Sequence, residues 1–126
     1  MSEITPMERL IASRRSLIAL GPLEAQLMRL LWDQGTLTVR DVYEQMRLRR
    51  RISYTTVMSV FTHLAGKGLV SQDRSQSAYR YSAQVSDLEV AQAALDVLTE
   101  SVMGGRVEPL IAYLHAKSES SPAPPG

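Results

Sequence analysis

Hydroxyl-bearing side chains recur at helical spacing in the middle of the chain. Thr55, Ser59 and Thr62 follow a Ser53 start, and residues three and four apart share one helix face. Such groups can hydrogen-bond to phosphates and base edges, and a threonine methyl can pack on thymine. Lysine, glutamate or glutamine is the usual filler of an exposed helix, whereas β-branched threonine is not. The pattern therefore favours a surface that faces nucleic acid over a merely solvated helix face.

Further candidate contacts flank this face. Backbone N–H groups at the start of the same helix suit a phosphate. The run Arg47-Leu48-Arg49-Arg50-Arg51 precedes it, and we expect one or two of these arginines to meet phosphates and the rest to be solvated. Lys67 is equally well placed to cap the helix end or to bind phosphate. The full set of predicted DNA contacts is Arg50, Arg51, Ser53, Tyr54, Thr55, Thr56, Met58, Ser59, Thr62, His63, Lys67, Arg74 and Arg80.

The charge is unevenly distributed along the 126 residues. The net charge is only +1, but residues 39–80 carry 8 basic and 3 acidic side chains, and residues 81–126 carry 2 basic and 6 acidic ones. A basic segment attracts a polyanion, while an acidic segment is repelled by it. The two parts are therefore expected to perform different tasks.

The sequence offers little for catalysis. It has no cysteine, and its two histidines, His63 and His115, fall in different predicted segments. It also has no glycine-rich phosphate loop and no G-x-S-x-G motif. We expect no enzyme activity, no metal and no cofactor. No apolar run approaches the roughly 20 residues of a membrane span, so we expect no membrane association and a cytoplasmic location.

Three predicted helices position the hydroxyl-bearing face. The first follows Gly21-Pro22 and ends at Gly35, and Thr36-Leu37 is a candidate bridging strand. Thr38 caps the second helix. The third begins after Ser53 and ends at Lys67-Gly68. The predicted core stripes of these helices are Leu23, Leu27, Leu30 and Leu31, then Val39, Val42, Tyr43 and Met46, then Val57, Val60, Phe61 and Leu64.

A hairpin and two further helices complete the prediction. Strands over residues 69–74 and 78–82 flank the loop Ser75-Gln76-Ser77, with Tyr79 and Tyr81 on one face. Ser86 and Glu89 form a capping box that opens a fourth helix, and Gly104-Gly105 separates it from a fifth. The residues predicted to form a dimer interface on these helices are Leu88, Leu95, Leu98, Val102, Leu110, Ile111 and Leu114.

The predicted fold is mainly α with a small sheet (α+β), because helix, short strand, helix, helix and hairpin is the order of a winged helix-turn-helix domain. We assign residues 20–83 to this DNA-binding domain and residues 84–116 to a small C-terminal helical dimerisation region. Residues 1–19 are interpreted as an N-terminal arm and residues 117–126 as a disordered tail rich in serine and proline. A winged helix used as a protein-docking module, without specific DNA binding, is the alternative.

Several stretches resemble the penicillinase-repressor (BlaI/MecI-like) family. They are Leu20-Gly21-Pro22-Leu23-Glu24 through Leu31-Trp32-Asp33, Thr38-Val39-Arg40-Asp41-Val42, Ser53-Tyr54-Thr55-Thr56-Val57-Met58, Leu64-Ala65-Gly66-Lys67-Gly68-Leu69-Val70 and Tyr79-Arg80-Tyr81. The resemblance implies a homodimeric transcriptional repressor of β-lactam-resistance or stress genes, acting on a palindromic operator. It assigns DNA contacts to Thr55, Thr56, Met58 and Ser59, with Arg80 in the wing. It also implies a sensor-linked protease as a partner, with the cleavage position near Tyr113-Leu114.

Overall fold

The computed structural model describes residues 20–120, which form five helices and one three-stranded sheet. One compact unit ends at Ala94 and a second begins at Leu95. In chain order the elements are α1 (Pro22–Gln34), β1 (Leu37–Thr38), α2 (Val39–Met46), α3 (Tyr54–Gly66), β2 (Val70–Asp73), β3 (Arg80–Ala83), α4 (Asp87–Ser101) and α5 (Glu108–Ser120).

The five helices and the three-stranded sheet of residues 20–120 follow the predicted order of the elements. In this described part of the chain, no helix is long and apolar enough to cross a membrane. The predicted arm at residues 1–19 and the end of the predicted tail, residues 121–126, lie outside the described residues.

Capping groups set the starts of the first three helices, and those at Thr38 and Ser53 are as predicted. The Gly21 N–H donates to Glu24 Oε1 at 3.1 Å, and Pro22 occupies the first turn of α1. Thr38 and Asp41 form a reciprocal pair of 3.0 Å hydrogen bonds at the start of α2. Ser53 Oγ accepts the Thr56 N–H at 3.1 Å at the start of α3. Each bond satisfies a backbone donor that has no partner inside its own helix.

The core of the first unit lies between these helices and the sheet. Apolar side chains at helical spacing on α1, α2 and α3 are removed from water there, which is the main favourable term in folding. The buried cluster consists of Leu27, Met28, Leu31, Leu37, Val39, Val42, Met46, Val57, Phe61, Leu64, Leu69, Val70 and Tyr81.

The sheet is antiparallel with the strand order β1-β3-β2. Leu37 pairs with Tyr81, and Val70 pairs with Ala83. The predicted bounds of all three strands were wrong. Strand β1 is Leu37–Thr38 instead of 36–37, β2 is Val70–Asp73 instead of 69–74, and β3 is Arg80–Ala83 instead of 78–82. The reason is that pairing ends at Asp73 and Arg80, which leaves a six-residue loop at 74–79 that local residue preferences do not reveal.

The prediction that Tyr79 and Tyr81 share a face was also wrong. Tyr81 is 3% exposed and Tyr79 is 46% exposed. The two-residue alternation of side chains applies only inside a strand, and Tyr79 precedes the first paired residue of β3. With these corrections, helix, strand, helix, helix and hairpin form a winged helix, as the sequence predicts.

Helix α4 begins at the predicted capping box, with Ser86 Oγ accepting the Glu89 N–H at 3.0 Å and Glu89 Oε1 accepting the Ser86 N–H at 3.3 Å. Its only buried residue is Ala93, and α5 buries none. The prediction of a disordered tail from residue 117 was wrong for Lys117 to Ser120. These residues form the last turn of α5. Lys117 suits the negative end of the helix dipole, and the first proline of the tail comes only at Pro122.

Candidate nucleic-acid interface

The outward side of α3 carries the predicted hydroxyl groups, and all of them are exposed. We call Thr55, Ser59 and Thr62 the hydroxyl face. On the opposite side Val57 and Phe61 have no exposed surface. The hydroxyl groups are therefore held on a helix whose inner side is fixed in the core, and they are free to meet a ligand.

Met58, beside the hydroxyl face, and Thr62, within it, offer different contacts to a ligand. Met58 is 44% exposed and presents a flexible thioether. Thr62 donates its hydroxyl proton to the Met58 carbonyl at 3.0 Å, which leaves its oxygen as an acceptor and its methyl group for apolar contact. Thr62 is thus suited to accept a hydrogen bond or to pack on a methyl group.

The start of α3 is a capped helix end with exposed side chains. The Ser53 hydroxyl is used by the Thr56 N–H and lies 2.8 Å from Thr56 Oγ1. Tyr54 packs edge-on against Tyr43, with ring centroids 5.6 Å apart, and 42% of it stays exposed. Because the positive end of the helix dipole lies here, an anion is stabilised near this turn.

The arginines between α2 and α3 form what we call the cationic turn (Arg47, Arg49, Arg50 and Arg51), and all four are exposed. Arg47 is paired with Glu44 at 3.0 Å, and Arg50 donates to the Gln26 side chain at 3.1 Å. An open groove connects this turn to the start of α3 and is lined by Leu23, Arg47, Arg50, Arg51, Ile52, Ser53 and Thr56. The groove brings Arg50 and Arg51 next to Ser53.

The hairpin, which we call the wing (β2, β3 and the loop 74–79), presents the two predicted arginines. The Arg74 guanidinium lies over the Tyr79 ring, 5.5 Å from its centroid, and also donates to the Gln72 side chain. Arg80 donates to the Gln76 side chain at 3.1 Å. The hydrogen-bond partners of both cations are neutral, and the charge of Arg80 also acts on the Asp73 carboxylate.

A turn within the wing contains an acidic group of lowered pKa. Hydrogen bonds from the Ser75 side chain and the Ser75 N–H lower the pKa of Asp73 from its ordinary value of 3.8, and the Arg80 charge lowers it further. The Ser75 N–H donates to Asp73 Oδ1 at 2.9 Å. The carboxylate thus stabilises the loop that carries Arg74 and Arg80.

Lys67 and His63 meet a residue that the sequence analysis did not single out. Glu24 lies on α1, and its carboxylate is 3.2 Å from Lys67 Nζ and 3.9 Å from His63 Nε2. The side chains of Lys67 and Glu24 are only 17% and 14% exposed. The structure therefore places Lys67 in an ion pair within the fold. Glu24 lies in the first turn of α1, where its side chain caps the helix. This position was the only feature of the sequence that indicated a role for it.

The residues predicted for a dimer interface remain largely exposed in the single chain. In the first unit Leu88 is 62% exposed. In the second unit Val102 is 70% and Ile111 is 61% exposed, and Leu95, Leu98 and Leu114 also rank among the exposed large hydrophobic residues. Leu110 is partly buried. Exposed apolar surface of this extent on two helices is typical of an interaction site.

No group of three or more acidic, histidine or cysteine side chains in residues 20–120 is arranged to hold a metal ion. The described titratable groups that lie close together are ion pairs such as Glu24–Lys67 and Arg29–Asp33. The hydroxyl face, the cationic turn and the wing together present hydroxyl groups and positive charge. That arrangement is suited to binding an anionic partner.

Comparison with known proteins identifies the family. A protein named transcriptional regulator BlaI from Mycobacterium tuberculosis is 41% identical over 91 residues, which cover 71% of this chain and 66% of that protein. The matched part thus spans just under two thirds of that relative. A protein named penicillinase repressor from Staphylococcus aureus is 19% identical over 96 residues, covering 76% of this chain and 75% of that protein. The family model described as penicillinase repressor matches residues 20–123, and the chain belongs to that family.

Proposed function

We propose that this chain is a transcriptional repressor that binds operator DNA sequence-specifically, with α3 as the recognition helix. The observation that carries the proposal is the two-sided character of α3. Val57, Phe61 and Leu64 are fully buried, while Thr55 and Ser59 on the other side are exposed. A helix held in this way can enter the major groove with its polar side turned to the bases.

The cations around α3 support the same proposal. The cationic turn lies at the start of the recognition helix, and the wing carries Arg74 and Arg80 at its far end. Contacts to phosphates fix the register of a protein on the duplex, while contacts to base edges select the sequence. We assign phosphate binding to Arg50, Arg51, Arg74 and Arg80, and base contacts to Thr55, Met58 and Ser59.

We further propose that the repressor acts as a homodimer. The support is the apolar surface of α4 and α5, on which Leu98 is 49% and Leu114 is 46% exposed. A two-fold symmetric dimer binds two half-sites about one helical turn of DNA apart, or a multiple of that. The operator is accordingly expected to be palindromic.

The names of the relatives extend the proposal to regulation. They are called a transcriptional regulator and a penicillinase repressor, so we propose a cytoplasmic regulator without enzyme activity, with β-lactam-resistance or stress genes as its targets. Release by a sensor-linked protease that cleaves near Tyr113 and Leu114 is part of this proposal. Both residues are exposed on α5.

The proposal is tested by selecting duplexes from a random pool with the full chain and measuring their affinity by fluorescence anisotropy at increasing salt. We expect enrichment of a palindromic duplex and a steep fall in affinity with salt, because each neutralised phosphate releases counterions. A scrambled duplex of the same composition is the control. If no duplex is enriched even at low salt, the winged helix is a protein-docking module and the proposal is wrong.

A further inference from the structure

The hydroxyl face continues at its C-terminal end into a histidine. Thr55, Ser59 and His63 are spaced by four residues and form one line along α3. An open groove beside them is lined by Glu24, Ser53, Thr55, Thr56, Ser59, Val60 and His63. The imidazole therefore lies on the surface that is proposed to meet DNA, and its side chain is 64% exposed.

A fixed negative charge lies next to this imidazole. Glu24 Oε2 is 3.9 Å from His63 Nε2. The carboxylate is held from two other sides, by Lys67 Nζ at 3.2 Å and by the Gly21 N–H at 3.1 Å. Because Glu24 is only 14% exposed, it has little freedom to move away from the ring.

Bound DNA adds a second source of negative charge. Phosphates near the C-terminal end of α3 would lie close to the exposed imidazole, whose Nε2 is 3.9 Å from the Glu24 carboxylate. An opposite charge within about 4–6 Å favours the protonated form of an imidazole. Glu24 and Lys67 are the other charged groups that meet beside this imidazole. Histidine is the type of side chain that can change its charge near neutral pH.

We propose that binding of DNA is coupled to protonation of His63, with Glu24 as the fixed counter-charge 3.9 Å from its Nε2 atom. The inference rests on the proposed DNA-binding function and adds a form of regulation to it. When the complex forms, His63 takes one proton from solvent in each protomer whose imidazole was neutral before binding. By linkage, a ligand that binds the protonated form more tightly binds more strongly as the pH falls.

The test uses the palindromic duplex enriched by the full chain, with affinities measured at several pH values between about 6 and 8. We expect the wild-type affinity to rise by about tenfold or more as the pH falls across this range. His63→Gln should bind weakly with little dependence on pH, and His63→Lys should bind tightly with little dependence on pH. Glu24→Gln should move the dependence to lower pH, because the counter-charge acts on the imidazole both before and after DNA binds.

His115 provides a matched control. It is the other histidine of the chain, its side chain is 74% exposed, and it lies 3.1 Å from Glu119. His115→Gln should keep the wild-type dependence on pH. The inference is overturned if the wild-type affinity does not change with pH, or if His63→Gln retains the full dependence. Both results leave specific DNA binding intact, whereas a failure to enrich any duplex contradicts the proposed function itself.

Discussion

The rings of Phe61 and Tyr81 stack on each other, with centroids 4.2 Å apart and an angle of 22° between their planes. Phe61 lies on α3 and Tyr81 on β3, so this contact joins the proposed recognition helix to the wing. Phe61 has no exposed surface, and Tyr81 is 3% exposed. The two elements that are proposed to face DNA are therefore held together through the core.

Phe61→Ala should destabilise the fold by about 3–5 kcal/mol, because it removes a buried ring and leaves a cavity. Urea unfolding followed by circular dichroism measures the change. Tyr79→Ala serves as the control, since Tyr79 is 46% exposed, and surface changes usually stay within about 0.5 kcal/mol. Equal losses from the two substitutions would contradict the assigned packing.

One hydrogen bond and one ion pair join α1 to residues at and just before the start of α4. They should contribute differently to the free energy of unfolding. Trp32 Nε1 donates to the Val85 carbonyl at 2.8 Å in a partly buried contact. Arg29 meets Asp87 at 3.2 Å, but both side chains are about half exposed. Trp32→Phe should cost about 1–3 kcal/mol, because the carbonyl loses its partner. Arg29→Ala should cost less, since exposed ion pairs contribute little. Thermal unfolding of both variants tests this order.

Base contacts and phosphate contacts should respond differently to mutation. Thr55→Ala or Ser59→Ala should change which duplexes are preferred, by about 1–3 kcal/mol at the base pair that is contacted. Arg80→Ala should weaken all duplexes about equally and lower the salt slope by about 1. Arg106→Ala, an exposed cation beyond α4, is the control. A uniform loss from both the Thr55 and Ser59 variants would argue against base recognition.

Leu98→Asp should convert the proposed dimer into a monomer, because it puts a charge into an apolar interface. Leu98 is 49% exposed in the single chain, so the substitution should leave the protomer folded. Sedimentation velocity measures the oligomeric state. Leu48→Asp is a suitable comparison, since Leu48 is 80% exposed on the cationic turn, and it should leave the dimer unchanged. A dimer that survives the Leu98 change would place the interface elsewhere.

The stability contribution of Asp73 should disappear in acid. Its pKa is lowered in the folded chain by hydrogen bonds from Ser75, so the folded state favours the charged carboxylate. This contribution is fully present above the ordinary value of 3.8 and is lost as the pH falls through the lower folded value. Wild type should therefore exceed Asp73→Asn in stability near neutral pH and approach it in acid. A gap that widens in acid would contradict this sign.

Much of the helical framework could be predicted from the sequence because its causes are local. The caps at Thr38, Ser53 and Ser86 need only residues three positions away. The spacing of apolar residues likewise predicts which side of α3 is buried. An exposed Thr55 and a buried Phe61 follow from one periodicity. The chemistry of the hydroxyl face could therefore be predicted from the sequence, and the family resemblance could be recognised from it as well.

The sequence by itself determined the helices, their inner faces and the hydroxyl face, since each depends on contacts within one or two turns. Only the tertiary structure decided that Lys67 pairs with Glu24, that Tyr81 is buried while Tyr79 is exposed, and that β2 ends at Asp73. Those outcomes depend on groups far apart in the chain, 43 positions for Lys67 and Glu24, and on strand register. No local pattern encodes such distances, because they are set by how the elements pack.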